Sequence, residues 1–212
     1  MRIILFGAPG VGKGTQAKIL SSKLNILHIS TGDILRDSIE KKTSLGMEAK
    51  KIMDKGELVP DDIMVGIIRD TLKEERSKNG FILDGFPRTV AQAKELDKLL
   101  NELNINQKKI VAITADEEEI VKRLTSRKAC KNCNYILALD EIKDNNCPNC
   151  GAKDSLYQRS DDKEDVIKKR LFIFNSTTKP VLDYYERYSN VIYINGIGQV
   201  EEVNQRILSK LK

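Results

Sequence analysis

The stretch GAPGVGKGT at residues 7–15 has the composition of a phosphate-binding loop. Its glycines are Gly7, Gly10, Gly12 and Gly14. We expect all four to adopt backbone conformations that residues with side chains avoid, so that successive N–H groups form an anion-binding nest at the start of a helix. Lys13 would add a positive charge at the phosphates. The loop departs from the usual pattern because Gly14 stands where Ser or Thr is standard, and the first hydroxyl comes at Thr15.

A second candidate anion site follows the short apolar stretch Leu27-His28-Ile29, in STGDILR at residues 30–36. Thr31 is suited to cap a helix and Asp33 to lie in its first turn. The simplest interpretation is an ordinary helix start. Arg36, however, lies one turn further on, near the carboxyl end of a strand, where open α/β sheets bind ligands.

A third candidate, LDGFPRT at residues 83–89, follows another apolar stretch. A carboxylate at the end of a strand beside a phosphate loop can orient Mg²⁺ or its waters, although Asp84 could also simply cap a turn. Arg88 could bind a phosphate through two parallel hydrogen bonds. One helical turn later, Gln92 could offer its amide to the edge of a base.

Further arginines follow later in the chain. Arg123 and Arg127 are one helical turn apart, and Arg159 and Arg170 flank the acidic pair Asp161-Asp162. Taken alone, Arg127 is best interpreted as a solvated surface residue. Together with a phosphate loop, several arginines near strand ends predict a clamp around moving negative charge.

The cysteines form two pairs, Cys130-x2-Cys133 and Cys147-x2-Cys150, separated by 13 residues. Four thiolates at this spacing suit tetrahedral Zn²⁺, and a fully occupied coordination shell indicates a structural site rather than a catalytic one. Free thiols or transient disulfides are the alternative. The spacing alone does not distinguish Zn²⁺ from another soft metal ion.

Apolar segments alternate with segments of helical periodicity along most of the chain. The expected strands are Arg2–Phe6, Leu27–Ile29, Phe81–Leu83, Ile110–Ile113 and Val191–Ile194. The expected helices are Lys13–Leu24, Asp61–Lys78, Thr89–Leu103, Glu117–Arg127, Lys163–Tyr188 and Val200–Leu211. This alternation predicts an α/β fold with a parallel sheet covered by helices on both faces.

Two regions interrupt the alternation and predict insertions. Residues 30–59 have helical patterns without a strand, and residues 128–158 combine the cysteines with turn-forming residues. The core domain would then comprise residues 1–29, 60–127 and 159–212.

The composition is that of a globular protein: 212 residues, 40% of them apolar and 32% charged. The sequence has no apolar run of about 18 residues, so we expect no transmembrane helix. The apolar N-terminal stretch is too short for a signal peptide, which favours a cytoplasmic location. A net charge of +5 suits anionic ligands but does not by itself indicate nucleic-acid binding.

The motifs together resemble those of the adenylate kinase family, in the form with a long, zinc-bearing lid. The matching stretches are GAPGVGKGTQA (7–17), STGDILR (30–36), LDGFPRT (83–89), Gln92, the helix from Arg123 to Arg127, QRSDD (158–162) and KKR (168–170). The resemblance implies a P-loop NTPase type of fold, with an AMP-binding domain at 30–59 and a lid domain at 128–158. It implies reversible, Mg²⁺-dependent transfer of a phosphoryl group from ATP to AMP, giving two ADP, by a monomer with a structural Zn²⁺.

The resemblance also assigns roles to residues. ATP would be bound by Gly10, Val11, Gly12, Lys13, Gly14, Thr15, Arg123, Arg127 and Gly198. AMP would be bound by Thr31, Arg36, Glu57, Leu58, Val59, Gly85, Arg88, Gln92, Arg159 and Arg170. The residues acting directly in catalysis would be Lys13, Asp84, Arg88, Arg123, Arg159 and Arg170. The peptide before Pro87 would be cis.

The family resemblance also accounts for the shifted hydroxyl. Nucleoside monophosphate kinases resemble this chain in placing Gly after the loop lysine and Thr next. Their Mg²⁺ is held mainly by phosphates and ordered waters, with Asp84 as the group that would orient a water. The sole histidine, His28, is interpreted as a packing residue at the end of a strand.

Two alternatives remain open at this stage. The first is a kinase for UMP, CMP or GMP. The second is a zinc-ribbon nucleic-acid binder with a nucleotide switch, which would require basic and aromatic residues around the cysteines. That segment has Tyr135 as its single aromatic residue before Tyr157, and Asp140, Glu141 and Asp144 make it locally acidic. We therefore expect ATP, AMP and ADP as partners, with no nucleic acid and no membrane.

Overall fold

The computed structural model describes residues 1–137, 142 and 144–211 of the chain. The strands are β1 (Arg2–Phe6), β2 (Leu27–Ser30), β3 (Phe81–Asp84), β4 (Lys109–Thr114), β5 (Lys128–Cys130), β6 (Ile136–Leu137), β7 (Leu156–Tyr157) and β8 (Val191–Asn195). The α-helices are α1 (Lys13–Leu24), α2 (Thr31–Glu40), α3 (Ser44–Met53), α4 (Asp61–Lys73), α5 (Val90–Glu102), α6 (Glu117–Ser126), α7 (Glu164–Ile173), α8 (Lys179–Glu186) and α9 (Val200–Leu211).

The five longer strands form a parallel sheet in the order β2-β3-β1-β4-β8. Each of these strands matches an expected one to within one residue at either end. Because all five are parallel, their carboxyl ends meet at one edge of the sheet, which is where open α/β sheets bind ligands. The register places Leu5, next to the phosphate loop, beside Asp84 at the end of β3. The expected α/β fold is confirmed.

The sheet separates two hydrophobic cores. On β1, Ile4 and Phe6 belong to one core and Ile3 and Leu5 to the other, as the two-residue period of a strand requires. Helices α4, α5 and α8 cover the first face, and α1 and α9 cover the second. A third, smaller cluster joins α6 to α7 through Ile120, Leu124, Ile167 and Leu171.

Two expected helices differ from those found. The segment Asp61–Lys78 is helical only to Lys73, because Glu74 is extended and a single 3₁₀ turn, Glu75–Ser77, follows it. The segment Lys163–Tyr188 contains a π-helical turn, Phe174–Thr178, between α7 and α8. There the N–H of Lys179 donates to the carbonyl of Phe174, five residues back, immediately before Pro180, which has no N–H to donate.

The 30–59 region folds as two helices that share the first core. Ser30, not Thr31, caps α2, since its hydroxyl accepts a hydrogen bond from Asp33 N. The expectation that Thr31 caps the helix was therefore wrong. Thr43 caps α3 in the same way. Leu35, Ala49 and Val59 are buried in the first core, so this insertion is anchored by apolar packing.

The cysteine region is built differently. Its strands form a small antiparallel sheet in the order β6-β5-β7. None of its described residues belongs to any of the three hydrophobic clusters. Asp140 and Glu141, which made the segment acidic, lie outside the described residues.

Candidate active site

The phosphate loop connects β1 to α1 through three glycines with positive φ angles, the first of which is Gly7 at φ 148°. Gly10 has φ 81° and Gly12 has φ 102°, and a Cβ on Gly10 would lie 2.6 Å from Leu124 Cγ. Gly14 differs from what we expected, because it lies within α1 and has no positive φ. A Cβ there would be 3.4 Å from Asp84 Oδ2, an ordinary contact distance. The side chain of Val11 is 2% exposed and packs in the second core, which leaves only its backbone for a ligand.

The side chain of Lys13 folds back over this loop. Its Nζ donates hydrogen bonds to the carbonyls of Gly7 at 2.7 Å and Ala8 at 2.9 Å. The pKa of Lys13 is lowered to about 8, chiefly by burial. The Asp84 carboxylate acts in the opposite direction, and the nearby arginines add to the effect of burial. The loop therefore holds a positive charge that a phosphate would stabilise.

The Asp84 carboxylate lies beside the loop at the end of β3 and is 8% exposed. The His28 ring on the neighbouring strand β2 lies 3.4 Å from it, between Nε2 and Oδ2. His28 thus contacts a candidate functional group, in addition to its packing role. A carboxylate next to an anion nest is a donor of the kind that Mg²⁺ prefers, so the residues present fit a Mg²⁺–nucleotide complex.

The turn after β3 brings three predicted residues together. The Thr31 hydroxyl donates to the Gly85 carbonyl at 3.0 Å, and Arg88 Nε donates to the same oxygen at 2.8 Å. Gly85 has φ 82°, and a Cβ there would lie 2.8 Å from Thr31 Oγ1 and 3.1 Å from Arg88 Nη2. Only glycine fits this close approach. The peptide before Pro87 is cis, as expected.

Arginines gather at the same edge of the sheet. Burial lowers the pKa of Arg88 and of Arg159 to about 10 each, and that of Arg170 is lowered for the same reason. Neighbouring positive charges contribute in each case: Arg170 and Arg36 act on Arg88, and Arg36 and Arg127 act on Arg159. The cluster comprises Arg36, Arg88, Arg127, Arg159 and Arg170. The Nε atoms of Arg36 and Arg159 are buried and have no protein hydrogen-bond partner.

Carboxylates keep these like charges together. Asp162 is 1% exposed, accepts two hydrogen bonds from Arg127, with 2.7 Å from Nη2 to Oδ1, and pairs with Arg170 at 3.3 Å. Arg170 also lies 3.1 Å from Asp161. Burial raises the pKa of Asp161, but Arg170 and Arg127 outweigh it and the net shift is downward. Arg127 is therefore a largely buried partner of Asp162, and its interpretation as a solvated residue was wrong.

Arg123 and Gly198 lie on another side of the phosphate loop. Arg123 donates to Glu119 at 2.7 Å and to the Gly196 carbonyl at 3.1 Å. A Cβ on Gly196 would lie 3.3 Å from the Val11 carbonyl, so the turn after β8 approaches the loop closely. Gly198, two residues further on, has φ 116°. The turn thus positions Arg123 near the loop.

One cavity of about 1050 Å³, its open mouth included, joins the loop to the arginines. The predicted AMP-binding residues that line it are Thr31, Arg36, Glu57, Leu58, Val59, Gly85, Arg88, Gln92 and Arg170. Arg159 does not line it. Gly7, Pro9 and Lys13 line the side of the phosphate loop. Apolar side chains, among them Leu35, Met53 and Met64, complete the wall.

Sequence reasoning missed several residues of this site. Met53, Met64 and Phe174 line the cavity, but single apolar residues on helices look like ordinary core residues. Asp61 was also missed, although it binds Gln92 Nε2 at 2.7 Å and Thr89 Oγ1 at 2.8 Å. It stands in the first turn of α4, where an acidic residue needs no other explanation.

The four cysteines converge as their spacing predicted. Cys130 Sγ lies 3.7 Å from Cys150 Sγ, and Cys133 Sγ lies 3.6 Å from Cys147 Sγ, with all four sulfurs within 4.8 Å of one another. A tetrahedral ion with Zn–S bonds of about 2.3 Å requires sulfurs about 3.8 Å apart. The cluster therefore fits a four-coordinate zinc ion.

Across the described ranges, no helix combines the length and the apolar character that crossing a bilayer requires.

Comparisons with known proteins agree with this geometry. The family model for adenylate kinase matches residues 5–190. An adenylate kinase of Caldicellulosiruptor bescii is 46% identical over 214 residues, which cover 100% of this chain and 99% of the relative. One of Archaeoglobus fulgidus is 44% identical over 218 residues, covering 100% of both chains. With a phosphate loop, an arginine cluster and full-length relatives of this similarity, the chain belongs to the adenylate kinase family and is a phosphotransferase.

Proposed function

We propose that the protein transfers the γ-phosphoryl group of ATP to AMP, reversibly and with Mg²⁺, giving two ADP. The observation that carries the proposal is one continuous cavity, which is lined by the phosphate loop and by Arg36, Arg88 and Arg170. Two nucleotides entering from opposite sides would present their phosphates to the same set of cations.

The reaction needs few chemical groups from the protein. A phosphate oxygen of AMP attacks the γ-phosphorus, a new P–O bond forms, and the bond from that phosphorus to the β–γ bridging oxygen breaks as ADP leaves. The attacking oxygen is already anionic at neutral pH, so no general base is required. The protein must align the two phosphates and neutralise their charge.

The arrangement of side chains suits those two tasks. Lys13 and the loop N–H groups would hold the β- and γ-phosphates of ATP. Arg36 and Arg88 would hold the phosphate of AMP, and Arg127, Arg159 and Arg170 would surround the transferred group. Mg²⁺, when bound with ATP, supplies further charge neutralisation, and Asp84 would hold one of its waters. Arg123 would act from the other side of the loop.

The base of AMP would lie against the apolar wall. Leu35, Met53 and Met64 offer an apolar surface, and the Glu57–Val59 segment lines the same cavity. Gln92 is 2% exposed and lines the same cavity. A buried amide beside an apolar surface favours a base with both a donor and an acceptor on its edge. The full-length relatives named adenylate kinase support AMP over UMP or CMP as the nucleotide that this amide reads.

We further propose three domains: a core of residues 1–29, 60–127 and 159–212, an AMP-binding domain of 30–59 and a lid of 128–158. The lid's separate antiparallel sheet supports this division. A lid that closes would keep water from the γ-phosphate. Zn²⁺ held by the four cysteines would stiffen it, and we expect a cytoplasmic monomer that does not bind nucleic acid.

Coupled measurement of ADP formation tests this proposal. ATP is offered with AMP, GMP, CMP or UMP in turn, with Mg²⁺ and after its removal by EDTA. We expect AMP to be the best acceptor by at least about tenfold in kcat/KM, and EDTA to abolish turnover. A pyrimidine monophosphate as the best acceptor would overturn the assignment. Failure to bind a mimic that joins two adenosines through five phosphates would reject the two-nucleotide arrangement.

A further inference from the structure

Gln92 lies in the cavity with both ends of its amide engaged by the protein. Its Oε1 accepts a hydrogen bond from the backbone N–H of Arg88 at 2.7 Å, and its Nε2 donates to Asp61 Oδ1, also at 2.7 Å. Each partner has a fixed chemical role, because a backbone N–H can only donate and a carboxylate can only accept. The chemistry of the partners therefore determines which end of the amide is oxygen and which is nitrogen.

Asp61 is held in place by a second contact. Its Oδ2 accepts a hydrogen bond from the Thr89 hydroxyl at 2.8 Å, and that hydroxyl accepts one from Gln92 N at 3.0 Å. Asp61 thus connects the first turn of α4 to the first turn of α5. Its neighbour Asp62 is exposed and also lies in the first turn of α4, so it can satisfy the helix dipole without contacting Gln92.

Rotating the Gln92 amide by 180° would be strongly unfavourable in this setting. Its NH₂ would then face the Arg88 N–H, donor against donor. Its oxygen would face the Asp61 carboxylate, acceptor against acceptor. Both hydrogen bonds would be lost and two repulsive contacts would replace them. The amide consequently presents its remaining N–H and its remaining lone pair in one fixed order.

The order of donor and acceptor distinguishes two classes of purine. A 6-aminopurine has an acceptor at N1 and a donor at the 6-position. A 6-oxopurine has the reverse, a donor at N1 and an acceptor at the 6-position. An amide whose donor and acceptor pair with one class of purine would place donor against donor and acceptor against acceptor with the other class. We propose that Asp61 is a positioning residue that fixes the Gln92 amide and thereby makes the site discriminate 6-amino from 6-oxo purine monophosphates. This proposal rests on the proposed function, in which the cavity holds the acceptor nucleotide.

The first test compares Asp61→Asn with Asp62→Asn as the matched control. An Asn at position 61 can itself rotate, so it can donate to a rotated Gln92 amide. We expect Asp61→Asn to lower the AMP/IMP ratio of kcat/KM by at least about tenfold, chiefly through KM, with kcat for AMP within about threefold of wild type. Asp62→Asn should keep the wild-type ratio. An unchanged ratio in Asp61→Asn would overturn the proposal.

A second test uses the wild-type protein without nucleotide and so stands even if Asp61→Asn does not fold. Hydrogen exchange of side-chain amides, followed by NMR, compares Gln92 with the exposed Gln107. The Gln92 amide protons should exchange at least about tenfold more slowly than those of Gln107. Equal rates would overturn the proposal. Rejection of AMP by the wild-type enzyme would instead count against the proposed function, because the exchange result does not depend on any substrate.

Discussion

The cationic crevice and the four-cysteine cluster each bring together groups that repel one another when all of them are charged, but the two sites are stabilised differently. The crevice, made of Lys13, Arg36, Arg88, Arg127, Arg159 and Arg170, contains its own carboxylates, such as Asp162 between Arg127 and Arg170. The cysteine cluster receives hydrogen bonds from neutral groups, such as the side chain of Asn132 on Cys150 and that of Asn149 on Cys133.

This difference indicates how each site uses its counter-ion. Because the carboxylates compensate part of the positive charge, the crevice can exist without nucleotide and release its product. Four thiolates require a cation to offset their mutual repulsion, so the cluster would depend on a metal ion to hold all four sulfurs in the charged form. The crevice would thus contribute to catalysis with little effect on folding stability. The cysteine cluster would contribute to folding stability with little effect on catalysis.

The largest expected effect separates chemistry from folding. Lys13→Ala or Arg88→Ala should lower kcat/KM by about 10²–10³-fold, because each removes a preorganised positive group that stabilises the moving charge. The melting temperature should not fall, since burial disfavours both charges. Coupled ADP formation and thermal denaturation measure the two quantities. Lys73→Ala, at an exposed position on α4, is the control, and wild-type turnover in either crevice variant would refute the assignment.

The opposite pattern is expected for the cysteine cluster. Cys130→Ser should destabilise the protein by about 3 kcal/mol, or roughly 6–12 °C in melting temperature, by weakening metal binding. At a temperature where the variant stays folded, turnover should remain within about threefold of wild type. Metal content by elemental analysis should be about one zinc ion per wild-type chain. A metal-free wild-type protein with an unchanged melting curve in Cys130→Ser would exclude a structural zinc.

Removing one of the carboxylates in the crevice should make its stability depend on a bound counter-ion, as we expect for the cysteine cluster. Asp162→Asn should destabilise the free protein by about 2 kcal/mol, because Arg127 and Arg170 lose a buried anionic partner. Added phosphate should then raise the melting temperature of Asp162→Asn more than that of wild type. Asp165→Asn, at an exposed site in the first turn of α7, is the control. Equal responses to phosphate would show that Asp162 does not compensate the arginines.

The smallest effect concerns a single proton. The pKa of Lys13 is lowered to about 8 without ligand, so a large share of the molecules has a neutral lysine at pH 8.5. Phosphate binding would raise that pKa, and binding would then take up a proton. Titration calorimetry in two buffers of different ionisation enthalpy should detect uptake of a fraction of one proton at pH 8.5 and almost none at pH 6.5. Lys13→Met should abolish the uptake at pH 8.5, and uptake that persists would assign the proton to another group.

The same lysine gives a stability trend of known sign. Its pKa is lower in the folded protein than in the unfolded chain, so between about pH 8 and 10.5 the unfolded chain binds more protons. This group therefore destabilises the fold at pH 7, and its cost is relieved as the pH rises through that window.

Much of the fold was predictable because the hydrophobic periodicity of a strand or a helix can be recognised within a short stretch of sequence. All five strands of the parallel sheet were identified to within one residue at each end. The phosphate loop and the two cysteine pairs were visible because each has a recognisable spacing within a short stretch of sequence, although Gly14 lies in α1 without the expected positive φ. The π-helical turn at Phe174–Thr178 was not, since it depends on how the segment before Pro180 packs and bonds.

The sequence by itself therefore determined the phosphate loop, the individual strands of the sheet and the two cysteine pairs, because each is defined by residues close together in the chain. Only the tertiary structure decided the partners of charged side chains. Arg127 with Asp162 and Asp61 with Gln92 are pairs separated by 35 and 31 residues. Periodicity indicates which face of a helix is buried, but not which distant charge it meets. The partner of a charged side chain depends on packing across the whole molecule. The same packing decides whether an arginine is solvated or buried.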